Sequence, residues 1–290
     1  MSCPRLPPEL CDLVIGWLEG DGEILRACAL VCRSWLPASR HHLFQAVYLF
    51  HETQYKLFTH RILQDQNMKP YLDSMRGLTI WPHPEPLPNQ LPSGDEGAYR
   101  RTLSRSFFFL FGGRLPSLEV LTLVNLDWKD LPRPSEPLLL STFPSITTIQ
   151  FSACYLPSFS FLRRALMAMS SLTHLIVEHV QWPIETASSV PSSIGAPHFV
   201  RLAITRFSVK YWEGNDTPVK QLLQWFMEAR AWRQLRELSF TVERFQEYRF
   251  SESNPLGEVQ DTFLKVVGPK VIDLSVSMRG TQRSLYLVRA

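Results

Sequence analysis

One hydrophobic pattern recurs along the chain: an apolar residue, two variable positions, an apolar residue, one variable position, and an apolar residue. Its copies are Leu118-x-x-Leu121-x-Leu123, Ile146-x-x-Ile149-x-Phe151, Leu172-x-x-Leu175-x-Val177, Phe199-x-x-Leu202-x-Ile204, Leu235-x-x-Leu238-x-Phe240 and Val271-x-x-Leu274-x-Val276. An outlying copy, Met75-x-x-Leu78-x-Ile80, precedes them. Alternation at the centre of each copy predicts a short β-strand, with Leu121 and Leu123 facing a core and Val120, Thr122 and Val124 facing away. Between the copies, helical spacing of apolar residues predicts helices over 98–111, 159–169, 219–232 and 257–267. The third has Leu222, Leu223, Phe226 and Met227 on one face. A single strand–helix unit cannot bury its apolar face, so neighbours must stack and share one core. The predicted class is α/β, an irregular solenoid of parallel strands.

The first 36 residues follow a different rule. Leu10, Leu13, Val14, Trp17 and Leu18 fall at i, i+3, i+4, i+7 and i+8, a helical stripe that Cys11 and Ile15 widen toward a second face. Pro8 suits the first helical turn, and Glu9 suits its positive end. Gly20 and Gly22 break this helix, with Asp21 as an N-cap for the next. A second apolar set follows: Ile24, Leu25, Cys28, Val31, Cys32 and Trp35. Three short helices result, with more apolar surface than so small a unit hides by itself. The surplus must meet the rest of the chain or a partner.

In order and spacing, Leu6-Pro7-Pro8-Glu9-Leu10 at the start and Leu30-Val31-Cys32-Arg33-Ser34-Trp35 at the end resemble an F-box. The resemblance implies a helical docking module that binds the Skp-type adaptor of a cullin-based (SCF) ubiquitin ligase. The matching positions are Leu6, Pro7, Leu10, Ile15, Leu18, Val31, Cys32 and Trp35. Some of them must instead hold the three helices together. The repeated strands in turn resemble leucine-rich repeats, which implies a concave face of parallel strands. The buried asparagine of that repeat is present once, as Asn125, and the equivalent places hold Ala153, His179, Arg206, Val242 and Met278. Other hydrogen bonds must therefore satisfy the backbone there. The expected division is an F-box-like helical domain over 1–45 and a leucine-rich-repeat-like domain over 46–290. A proline-rich insertion over 82–94 interrupts the second, where proline fixes φ and removes donors.

Composition narrows the function. With 45% apolar and 20% charged residues, the chain has material for a sizeable core. A net charge of +3 is too small to point to nucleic acid, and Arg100, Arg101 and Arg105 read as a solvated helix face. No apolar run is long enough to span a bilayer, the most hydrophobic being Phe107 to Phe111, and no signal peptide is visible. A cytoplasmic or nuclear protein without membrane or nucleic-acid partners is the expectation. Five cysteines, an odd number, fit that setting. Cys28, Cys32, His41 and His42 match no standard zinc spacing, and small buried cysteines are common in helical cores.

Catalytic motifs are missing: there is no P-loop, Gly-x-Gly-x-x-Gly, His-Glu-x-x-His or Gly-x-Ser-x-Gly. The expected role is non-catalytic and cofactor-free, a substrate-recognition subunit that docks on the adaptor and, through it, on cullin. It would present an unknown target protein held on the repeats. The alternative is a repeat scaffold outside any ligase, and a diverged hydrolase is a weaker third. Trp81, His174, Glu178, Arg201 and Glu237, on the outward strand positions, are the expected target contacts. Alternation places His174 and His179 on opposite faces.

Overall fold

The computed structural model describes residues 7–83, 106–107, 110–129, 143–183, 202–212, 216–243, 255–279 and 284–285. It is an α/β structure built on one nine-stranded sheet whose spatial order is the chain order. The strands are β1 (Ala46–His51), β2 (Gly77–His83), β3 (Val120–Val124), β4 (Thr148–Ser152), β5 (His174–Glu178), β6 (Arg206–Trp212), β7 (Glu237–Glu243), β8 (Asp273–Arg279) and β9 (Ser284–Leu285). The first eight are parallel, and β9 pairs antiparallel with β8.

The helices are α1 (Pro8–Gly16), α2 (Gly22–Val31), α3 (Leu36–Gln45), α4 (Glu52–Leu57), α5 (Lys69–Asp73), α6 (Phe159–Ala168), α7 (Asp216–Glu228) and α8 (Pro255–Val267). Those that follow β1 and later strands cover one sheet face, and the other face stays open. Of the helix expected over 98–111, residues 106, 107, 110 and 111 are helical and the remainder lies outside the described residues.

One backbone device repeats at each strand start. The Arg76 carbonyl accepts from both Glu119 and Val120 N–H, at 2.8 Å each. The Glu119 carbonyl then accepts from Thr147 and Thr148, and the Thr147 carbonyl from Thr173 and His174. The series continues through Thr173, Thr205 and Arg236 to Ile272 and Asp273. Threonine hydroxyls reinforce it: Thr173 Oγ1 donates to the Thr147 carbonyl (3.1 Å), and Thr147 and Thr205 do likewise on their preceding strands. This chain of contacts fixes the register, and register keeps every apolar row on one face.

The buried rows are those of the repeat, with one correction. The strand in the fifth copy is not Phe199-x-x-Leu202-x-Ile204. It lies five residues further on, as Ile204-x-x-Phe207-x-Val209, with Phe207 opposite Leu175 and Val209 opposite Val177. Both frames carry apolar residues at the right spacing, and the choice falls to whichever lets Phe207 stack on Phe226 of α7 (4.6 Å, 8°). Arg206, Ser208 and Lys210 therefore occupy the outward positions expected of Arg201, Ala203 and Thr205. A further copy, Phe44-x-x-Val47-x-Leu49, forms β1 and begins the sheet. The proline-rich stretch also starts later than expected, because Pro82 and His83 close β2 and Pro82 is buried. Residues 84–94 lie outside the described set.

The strands β3, β4 and β5 end in the same way, by backbone hydrogen bonds from a left-handed residue. Asn125, Ala153 and His179 share a left-handed backbone (φ 58°, 52° and 51°). Each donates its N–H to the next strand, at Ser152, Glu178 and Lys210. The buried Cys154 thiol donates to the Leu123 carbonyl (3.2 Å), one of the replacement bonds. The equivalence fails after β5. Tyr211, not Arg206, is in register with Val242 and Met278, and at these three the strand simply continues. A left-handed conformation costs a β-branched residue such as Val242 more than it costs asparagine.

A continuous aromatic core runs beneath the sheet. Phe58 stacks on Phe111, Phe107 on Phe143, and Trp128 meets Phe151 and Phe161 edge-on or tilted. Phe226 lies between Phe207 and Phe263 and is fully buried. Phe226→Ala should cost about 3–5 kcal/mol in urea unfolding, whereas the exposed Trp17→Ala should stay within about 0.5 kcal/mol.

Candidate functional site

Two surfaces stand out: the outer side of the N-terminal helices and the open face of the sheet. Cys11 and Ile15, read as the fringe of the α1 stripe, are its buried side, and Ile15 is 0% exposed. The main stripe faces out: Leu10, Leu13 and Val14 are exposed, and Trp17 is 76% exposed. In α2, Leu25 and Cys28 are buried, while Ile24, Leu30 (87%) and Val31 (63%) are exposed. Asp21 caps α2, as expected, by accepting from Glu23 and Ile24 N–H. α3 packs against α1 and α2 on one side and against β1 and α5 on the other. Its Phe44 ring meets Phe58 and Tyr71. The docked α3 turns the stripes of α1 and α2 outward.

The eight expected adaptor contacts therefore separate. Pro7, Leu10, Val31 and Cys32 are exposed, Leu18 and Trp35 are half-buried, and Leu6 lies outside the described residues. Ile15 is corrected to a core residue, because α3 covers it. Leu13, Val14, Trp17 and Leu30 are exposed apolar residues of the same helices that were not in the expected set. They belong to the very stripe the periodicity revealed, and only its direction was unreadable. Cys32 is held below the usual thiol range by a hydrogen bond from Ser34 Oγ (3.0 Å) and by the Trp35 backbone. Cys154, by contrast, is pushed up to about 12 by burial.

On the open face, the side chains form three rows across the strands. The row at the strand starts reads Val120, Thr148, His174, Arg206, Glu237 and Asp273. The middle row reads Thr122, Gln150, Ile176, Ser208, Ser239 and Ser275, polar except for Ile176. Along β4–β8 these two rows line an open groove of about 410 Å³. Arg206 Nε lies 2.8 Å from Glu237 Oε1 inside it. His174 sits beside Arg206, and burial followed by the Arg206 charge lowers its pKa.

The third row begins with Phe50 and Trp81 and ends with charge, while Tyr48, opposite Thr79, belongs to the middle row. Tyr48 and Phe50 of β1 stack (5.9 Å), and Phe50 meets Trp81 of β2 edge-on (6.1 Å). All three rings are partly exposed. Further along, Glu178 accepts from Ser152 Oγ (2.7 Å) and Gln150 Nε2 (3.2 Å). Beyond it, Lys210 Nζ meets Glu243 Oε1 (2.9 Å), and His179 Nε2 meets Glu243 Oε2 (3.1 Å). The His179 ring stacks on Trp212 (4.1 Å, 24°). The positive φ at His179 breaks the alternation, so it does not face away from the His174 side but joins the open-face rim. Its Nδ1 is buried without a partner, which favours a neutral ring donating from Nε2. Burial is the main cause of its lowered pKa, opposed by Glu243 and aided by Lys210.

Of the expected target contacts, Trp81, His174, Glu178 and Glu237 lie on this face, and His174 and Glu237 line one groove. Arg201 lies outside the described residues, and Arg206 takes its place in the row. Tyr48, Phe50, Lys210, Trp212 and Glu243 were missed. The pattern Phe44-x-x-Val47-x-Leu49 signals the first two; the other three needed the correct β6 frame and the longer strands. Among the described residues no cluster of His, Cys, Asp or Glu has the make-up of a metal site, and no helix is long and apolar enough to cross a membrane. No protein-family model matches the chain, and neither does any curated protein.

The two histidines set a pH dependence. Both are held below 6.5, so below about that pH the unfolded chain binds protons that the fold refuses. Stability should be full above pH 6.5 and fall as pH drops toward the folded values. The melting temperature should decrease from pH 7.5 to pH 5.5, and by less in His174→Gln/His179→Gln; an equal decrease in both proteins would remove the histidines as its cause.

Proposed function

We propose that this chain is a non-catalytic substrate receptor of a cullin-based ubiquitin ligase, with an F-box in its N-terminal helices and degenerate leucine-rich repeats in its sheet. The observation that carries this reading is the outward apolar surface of α1 and α2. Leu10, Leu13, Trp17, Leu30 and Val31 stand exposed while α3 anchors the unit to the sheet. Apolar surface gathered in this way marks an interaction site, and helix-on-helix burial against a Skp-type adaptor would cover it. The F-box-like order of residues comes from the same segment. Its mechanism would be proximity. The helices fix one end on the adaptor, the open sheet face holds a target, and a target lysine is oriented toward charged ubiquitin without any reacting group from this chain. A repeat scaffold outside any ligase would use the same helical surface, and co-purification separates the two: adaptor with cullin, or another partner alone.

Pull-down with the adaptor tests the assignment. Leu10→Ala/Val31→Glu and Trp17→Ser/Leu30→Glu should each weaken adaptor capture at least tenfold and leave the melting temperature within a few degrees. Unchanged capture in both would sink the docking assignment. A second readout uses chemistry already in place. Iodoacetamide should alkylate the exposed Cys32 ahead of the buried Cys11, Cys28 and Cys154, and bound adaptor should protect Cys32. Equal labelling of Cys32 with and without adaptor would place the interface elsewhere.

A further inference from the structure

We propose that the open face takes an extended segment of a target protein that runs across the strands, with an apolar anchor at one end and a basic residue at the other. This rests on the substrate-receptor reading and narrows it to a class of target. Three features of the face carry it. The first is zoning. Tyr48 stacks on Phe50 and Phe50 meets Trp81, an aromatic group of partly exposed rings at the β1–β2 end. Partly exposed rings in contact present a large, rigid apolar surface with little entropy left to lose on binding.

The second is charge. Among the described side chains of this face, Glu178, Glu237, Glu243 and Asp273 stand against Arg206 and Lys210. Arg206 is paired with Glu237 and Lys210 with Glu243, and the two histidines are held toward neutrality. The surplus is negative, and Asp273 places part of it, exposed, at the far end of the groove. A Lys or Arg is the complement.

The third is the trough between these ends. Along β6–β8, Ser208, Ser239 and Ser275 present small hydroxyl side chains, which leave room for a main chain and match its N–H and C=O groups, while Gln150, between Thr122 and Ile176 in the same row, is held by Ser152 and Glu178. Ile176 gives one apolar floor position. Asp273 on β8 is in register with Gly77 on β2, so six strand intervals of about 4.8 Å and four residues of about 3.3 Å along the strand separate it from Trp81, a diagonal of roughly 32 Å. An extended chain covers that distance in about nine to ten residues.

The test uses the full chain and fluorescein-labelled synthetic peptides, read by fluorescence polarisation. The peptides carry Trp-Leu at one end, Lys-Arg at the other and a Gly-Ser spacer of two, six or ten residues, in both orientations. Binding should be at least tenfold tighter at the six-residue spacer than at two. It should also weaken with salt, and fall at least fivefold in Trp81→Ala and in Asp273→Lys. Both substituted side chains are exposed, and thermal melts confirm that the variants fold. Affinity that ignores spacer length, or that survives both substitutions, overturns the proposal. The same preparations are assayed for adaptor capture, which Trp81→Ala and Asp273→Lys should leave unchanged. Intact adaptor capture without spacer-dependent binding overturns the groove alone. Lost capture in the α1–α2 variants bears only on the docking surface, and failed capture by the unaltered chain removes the receptor reading.

Discussion

One carbonyl just ahead of each strand from β2 to β7, shared by two successive N–H groups of the next, sets the register on which everything else depends. A strand shifted by one residue would turn its Leu, Ile and Phe row to water and its Thr and Ser row to the core. The shared carbonyls at Arg76, Glu119, Thr147, Thr173, Thr205 and Arg236 prevent that shift, and three threonine hydroxyls support them. With register held, the buried rows become continuous, and the aromatic core from Phe58 to Phe263 can form beneath them. The open face is the other side of the same arithmetic. His174, Arg206, Glu237 and Asp273 are neighbours because Leu175, Phe207, Leu238 and Leu274 are.

Irregularity in the array has consequences for that face. Where the strands end early, after β3, β4 and β5, the backbone turns left-handed at Asn125, Ala153 and His179. Where they continue, in β6 and β7, two further residues add Trp212 and Glu243 to the open rim. His179 sits at the boundary between the two regimes. Its turn brings the ring onto Trp212 and Glu243, so the rim's charged cluster exists only because the strands differ in length.

The N-terminal helices obey the same logic of shared burial. They have two apolar sides and only one supporting surface. α3 spends its contacts on β1, α5 and its two sister helices, so Ile15, Leu25 and Cys28 are covered and the opposite stripe is not. An apolar stripe left exposed by a packed neighbour is more informative than the stripe itself, because it shows which side the rest of the chain has declined. Under the proposed function, that side is where the adaptor binds, at one end of a sheet whose open face holds the target.

Local sequence was sufficient for many of the elements, though not for α4, α5 or β9, and for most of the core. Helical spacing located α1, α2, α6, α7 and α8, Asp21 announced its own cap, and the alternating copies gave β2, β3, β4, β5, β7 and β8 with their inward residues. Those features depend on periods of two and about 3.6 that survive without tertiary context. The β6 frame did not, because Leu202 and Ile204 satisfy the pattern as well as Phe207 and Val209, and only the partner ring of Phe226 distinguishes them. β1 was passed over because it lies against the helical segment, outside the run of regular spacings. Which face of α1 is buried, the placing of Ile15 inside and Trp17 outside, and the joining of His179 to Trp212 and Glu243 were decided by the assembled structure alone. Each depends on what lies opposite, and periodicity describes a surface without naming its neighbour.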